Sequence, residues 1–298
     1  MIRILGSILS IAFLASCATP TKTSMSQERA FDAAGALKPV EITKETVVID
    51  ARPAFDYSTG HIPRSVPMNW SDFTEPEPAQ RGIIQHDTFG AARRLARSGI
   101  TPASKVVVVG RGRAGGGEEG RVAWMLAYLG VPNVQFAALE TLKPRLTNTP
   151  EANATESAAI WKPELNEGLN ATKEEFLFVI NSRGVDKAIA FAGRAPTRYK
   201  LIDVRSEKAY LGSEGLALTK RVPNMDAINI PWTQFFTADF RANLATLEKL
   251  KAMGWGAGDR MIVLDDNGVA SAAVVMVLKS YGFKDVANYS GGLQDLIP

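Results

Sequence analysis

The 298-residue chain has a single cysteine, Cys17, and only two histidines, His61 and His86. One thiol cannot form a disulfide within the chain. Beyond residue 17 there is no thiolate to hold zinc and no thiol nucleophile. Two histidines are too few for a histidine-rich metal site, and nothing in the sequence implies a cofactor. Charge of one sign is also missing: 34 Lys and Arg against 31 Asp and Glu leave +3, with both signs scattered. A nucleic-acid partner is therefore not expected. The apolar run near the start, Ile4 to Phe13, is too short to span a bilayer.

That short run nevertheless has a purpose. Met1-Ile2-Arg3 is a positive leader, and Leu14-Ala15-Ser16-Cys17 follows the apolar stretch. The quartet resembles the bacterial lipobox, in which the cysteine is acylated and becomes the mature N-terminus. Residues 1–17 are expected to be a lipoprotein signal peptide, with Cys17 as the lipidation site. Residues 18–38, rich in Ser, Thr and Ala, would then be a flexible tether. Ala18 rather than aspartate after the cysteine favours the outer membrane, so the expected address is the bacterial cell envelope.

The stretch that organises the rest is Val106-Val107-Val108-Val109 followed by Gly110-Arg111-Gly112-Arg113-Ala114-Gly115-Gly116-Gly117. Four β-branched residues in a row predict a strand buried on both faces, as in a parallel sheet. Arg121 to Leu129 reads as a helix ended by Gly130. A strand, a glycine-rich loop and a helix N-terminus converge backbone N–H groups on one point, where an anion can sit. Arg111, Gly112, Arg113, Gly115 and Gly116 are the candidate anion-binding residues. The alternative for the two arginines is plain solvation beside Glu118 and Glu119. Gly110-x-Gly112-x-x-Gly115 also matches a dinucleotide fingerprint, with Glu140 as a possible ribose ligand.

Two halves share one pattern. Val48-Ile49-Asp50-Ala51-Arg52 is echoed by Leu201-Ile202-Asp203-Val204-Arg205, and Ser65 to Trp70 by Ala227 to Trp232. Arg260 to Leu264 matches the valine strand, and Val269 to Tyr281 matches its helix. Asp50 precedes Gly110 by 60 residues and Asp203 precedes Asp265 by 62. Constant spacing of this kind predicts an internal duplication. Alternating strands and helices predict an α/β fold, each half a mostly parallel sheet flanked by helices. Thr88 to Ser98 is a predicted helix with Phe89, Ala92, Leu95 and Ala96 inward, and Phe240 to Met253 another. Thr172 to Glu175 forms a capping box. Trp70 and Trp232 read as core. Residues 144–169, polar and without a long apolar run, are the expected linker between units at 39–143 and 170–298.

Asp50-Ala51-Arg52-Pro53 through Gly60-His61-Ile62-Pro63 to Asn69-Trp70 resembles the opening motif of a rhodanese domain. The second half resembles it more loosely, through Asp203-Val204-Arg205, Tyr210, Asn229-Ile230-Pro231-Trp232 and the closing Gly291-Gly292-Leu293. The resemblance implies two rhodanese-like domains and sulfurtransferase chemistry, carried by a cysteine at the end of the central strand. That thiolate would hold a persulfide within the loop. Gly110 stands at the position in the first half and Asp265 in the second. Neither residue can carry sulfur, so no catalytic residue is assigned and the expected role is non-enzymatic: a lipid-anchored binding or scaffolding module with an envelope protein as partner. Sulfurtransfer, or a small-anion or phosphate site at 110–117, are the alternatives. Asp265 and Asp266 are either a divalent-cation or phosphoryl-accepting pair or a helix cap. Asp50, Arg52, Asp203 and Arg205 are expected to hold loops by ion pairing, and His61 to bond backbone in a turn.

Overall fold

A computed structural model describes residues 40–77, 80–149, 157–213 and 225–296. The Cys17 lipidation motif and the tether lie outside them.

The first half is built on strands β1 (Thr46–Asp50), β2 (Val66–Pro67), β3 (Lys105–Gly110) and β4 (Val134–Ala138). They form one parallel sheet in the order β2-β1-β3-β4. Helices α1 (Ala54–Thr59), α2 (Thr88–Arg97) and α3 (Glu118–Tyr128) connect them, and α4 (Leu139–Leu142) follows β4. The second half contains β5 (Asn170–Ala171), α5 (Lys173–Asn181), β6 (Ala188–Ile189), β7 (Thr197–Asp203), α6 (Glu207–Tyr210), β8 (Ile228–Asn229), α7 (Leu244–Ala252), β9 (Asp259–Leu264), α8 (Val269–Ser280) and β10 (Asp285–Tyr289). Its sheet runs β5-β10-β9-β7-β6, with β8 also paired to β7 and only the β6–β7 pair antiparallel. The sheets are the parallel, helix-flanked pair expected from the duplication.

Register explains the constant spacing. Asp50 pairs with Val109 and Asp203 with Leu264, so each Asp–Arg strand end lies beside the residue before its loop. The valines of β3 are completely buried, because the sheet is covered on both faces. Helix α3 is buried almost all round, as expected of a helix with apolar neighbours on every side. Those neighbours include α8, and a single apolar cluster runs through both halves, from Ile49 and Leu95 to Val263 and Phe283. Gly120 permits the helix contact. A Cβ there would lie 2.3 Å from Ala273 Cβ.

Several local expectations are corrected. Helix α3 starts at Glu118, three residues before Arg121, from an N-cap glycine, Gly117, at φ 92°. Phe89 is exposed: it sits in the first turn of α2, beyond the reach of the core that takes Ala92, Leu95 and Ala96, and Arg93 stacks on it. Phe240 is not helical. It holds φ 59° in the turn before α7, which begins at Leu244. Trp70 and Trp232 are only partly buried, packed against the core rather than inside it. Thr172 caps α5 by accepting from Glu175 N–H at 3.1 Å, but the Glu175 carboxylate pairs with Arg260 at 3.0 Å. The described part of the 144–169 segment is docked on the first half. Ala158 N–H donates to Ala96 O at 2.8 Å, Trp161 Nε1 to Ile100 O at 2.9 Å and Asn166 N–H to Tyr128 O at 2.8 Å.

Candidate functional site

Both strand-to-helix loops exist where they were expected, and each is already filled. In the first, Glu119 turns back from α3 into its own loop and is completely buried. Its Oε1 accepts Gly112 N–H at 2.8 Å, while Oε2 has no hydrogen-bond partner and faces Gly110. A Cβ on residue 110 would lie 2.4 Å from that oxygen, which is why glycine stands there. Burial pushes the Glu119 carboxyl up to about 8, so it is largely neutral at pH 7. A neutral acid accepts the loop donor that a bound anion would otherwise take.

The rest of the loop is also committed. Gly116 N–H donates to Glu118 Oε2 at 2.8 Å and Gly115 N–H to Gly112 O at 3.0 Å. Arg111 Nε donates to Asp56 Oδ2 at 2.7 Å. That bond holds the Asp56 carboxyl below its usual range and raises the guanidinium. Of the two arginines proposed for an anion, Arg113 is exposed and Arg111 carries a carboxylate. Of the five loop glycines at 110–117, Gly112 and Gly117 occupy the left-handed region, at φ 58° and 92°. Gly110 and Gly115 instead make room for the carboxylates of Glu119 and Glu118. Phe240, from the second half, closes over the loop, so that a Cβ on Gly112 would meet its ring at 3.3 Å.

In the second half Asp265 is itself the occupant. Its Oδ1 accepts from Gly268 N–H and from Asn267 N–H at 3.1 Å, and its Oδ2 accepts Ser271 N–H at 3.1 Å. These bonds cap α8 and favour the charged form, against burial, which raises the carboxyl overall. Ser271 Oγ lies 2.6 Å from Asn288 Oδ1, and Asn288 Nδ2 donates to Gly268 O at 3.0 Å. Asp266 lies 3.5 Å from Arg205 Nη1, so a guanidinium rather than a metal ion neutralises it. Burial raises its carboxyl, and Arg205 opposes that shift.

The paired Asp–Arg strand ends are internal struts. Arg52 bonds Asp50 at 2.7 Å and Gly60 O at 2.6 Å, and Arg205 bonds Asp203 at 2.7 Å. His61 is buried, stacked on Tyr57 at 4.0 Å, with Nδ1 2.9 Å from Tyr57 O. Glu140, the possible ribose ligand, is exposed on α4.

Sequence reasoning missed the residue that ties the two loops together. Arg121 is 1% exposed, donates to Gly268 O in the second loop at 3.0 Å and to Gly82 O, and stacks over Trp124. Gly82, at φ 104°, lies against Asn267 O and Ser290 O. Each half thus closes the other's loop, Phe240 over the first and the Gly82 turn over the second. No periodicity or motif marks these contacts, since their partners are 39 or more residues apart.

Two mostly parallel sheets, each launching a buried helix from a tight loop that a carboxyl group fills, define a duplicated α/β protein of strand–loop–helix units. Residues 34–138 and 188–297 match the Rhodanese-like domain family, and the chain belongs to that family. No curated protein matches the sequence. Among solved structures the chain is similar to the Tum1 protein from Saccharomyces cerevisiae, at 17% identity and TM-score 0.66, covering 86% of this chain and 89% of that one. It is also similar to a probable thiosulfate sulfurtransferase, at 21% identity and TM-score 0.56, over 87% and 99%. SseA from Escherichia coli, whose structure is described as that of a 3-mercaptopyruvate sulfotransferase, gives 19% identity and TM-score 0.62 over 84% and 93%. Likeness at these identities is a likeness of fold.

Proposed function

We propose that this rhodanese-like protein is a non-enzymatic binding or scaffolding module, held in the bacterial envelope by lipid on Cys17. The observation that carries the reading is the occupancy of both loops by the chain's own carboxyl groups. Glu119 fills the first against Gly110, and Asp265 fills the second at the position of the family nucleophile. A persulfide carrier needs a thiolate at that point, and no cysteine follows Cys17. With both loops filled by internal braces, what the fold offers is its surface, presented at the end of a lipid-anchored tether. The partner is an envelope protein.

Two measurements test it. Purified mature protein, assayed with thiosulfate or 3-mercaptopyruvate and cyanide, is expected to form thiocyanate no faster than the blank. Turnover that disappears in Asp265→Ala would overturn the non-enzymatic reading. In cells, wild-type protein is expected in the outer-membrane fraction with a lipid label. Cys17→Ser should appear in the soluble fraction, because stable anchoring depends on the acyl chains. Unlabelled, soluble wild-type protein would overturn the anchor.

A further inference from the structure

A second polar cleft lies away from both loops, on the face of the first half. It is an open groove of about 720 Å³ between α2 and the segments at 71–76 and 85–87. Its walls carry Arg93, Arg94 and Arg97 from one helix, facing Glu75, His86 and Asp87.

The acidic groups there are already used. Asp87 Oδ1 accepts Gly90 N–H at 2.7 Å as the cap of α2. Glu75 Oε1 accepts His86 N–H at 2.7 Å and also contacts the His86 ring, and these bonds keep its carboxyl charged. Asp72 Oδ2, at the rim, accepts Asn69 N–H at 2.9 Å. The three arginines, by contrast, have no carboxylate within ion-pair distance among the described residues. All three are exposed. Arg93 and Arg94 lie on the rings of Phe89 and Phe73, at 5.7 and 5.8 Å, and Arg94 also donates to Asp72 O.

Cations in the last turn suit a helix dipole, which accounts for Arg94 and Arg97. The dipole does not account for Arg93, for the cleft, or for acids turned to internal donors. Like charges at positions 93 and 97 repel one another. Their rise along the helix is about 6 Å, a spacing that two linked oxyanion groups can bridge. Guanidinium forks grip phosphoryl oxygens in pairs.

We propose that this cleft binds a small molecule carrying two or more phosphoryl groups. The site stands apart from the scaffolding reading, since it uses neither loop. The test is calorimetric titration of the mature chain at low salt with pyrophosphate, inorganic phosphate and citrate. Pyrophosphate is expected to bind with a submillimolar Kd, at least tenfold tighter than phosphate or citrate, and to weaken as salt is added. Arg93→Ala/Arg97→Ala should lose at least tenfold in affinity, and Arg93→Lys/Arg97→Lys should keep part of it, which separates a lost contact from a misfolded variant. Arg111→Ala/Arg113→Ala should bind as wild type. Absent binding, citrate binding as tightly as pyrophosphate, or binding that depends on Arg111 and Arg113 would each overturn the proposal.

Discussion

Glu119 is the residue on which the first loop closes. An acid in the first turn of a helix ordinarily points to solvent and offsets the helix dipole. Here it turns back into its own loop and is completely buried, with Gly112 N–H donating to it and Glu118 close enough to raise it further. Its carboxyl is held near 8 in the folded chain, against an ordinary value of 4.5. Between those values the folded protein keeps a proton that the unfolded chain has released. This contribution to stability is therefore complete below about pH 4.5, declines as pH rises and levels off above 8. Glu119→Gln has no such proton to lose. Its stability relative to wild type should increase from pH 5 to pH 9 by a few kcal/mol, at about 1.4 kcal/mol per pH unit at most. Denaturant midpoints at several pH values measure this. Parallel profiles for the two proteins would show that Glu119 does not titrate as a buried acid.

At the scale of elements, the α3–α8 crossing replaces what one sheet alone cannot cover. Glycine inside an exposed helix costs up to about 1 kcal/mol relative to alanine. Gly120 reverses that rule, because its missing Cβ is the space that Ala273 occupies. Gly120→Ala is expected to destabilise by about 1–3 kcal/mol, the usual penalty of overpacking. Ala273→Gly in the same chain should return part of the loss, and a double-mutant cycle reads that coupling. Additive effects would mean that the helices part freely. Much at this scale was legible beforehand. The valine run, the loop glycines and the two Asp–Arg strand ends fall where their patterns put them. Helix ends were less legible, as with Phe240, because periodicity reports burial and not the turn that delivers a side chain to its neighbour.

The whole molecule is expected to unfold as one cooperative body. The apolar cluster crosses from one half to the other, Phe136 meets Phe236 and Phe240 edge-on, and Arg121 bonds the far loop. Far-UV circular dichroism and tryptophan fluorescence are expected to report one coincident unfolding transition. Separately produced halves, 39–143 and 170–298, should aggregate or recombine, because each exposes the apolar face of its central helix. Two resolved transitions would show that the halves are independent domains.

By itself the sequence determined the duplication, the α/β class and the absence of any cysteine after Cys17, since these follow from fixed spacing, short-range periodicity and composition. Only the tertiary structure decided what fills the two loops. An arginine at 121 and a glutamate at 119 look like ordinary helix-surface residues until the second half packs over them. Burial then makes the glutamate a largely neutral acid and the arginine a brace between loops.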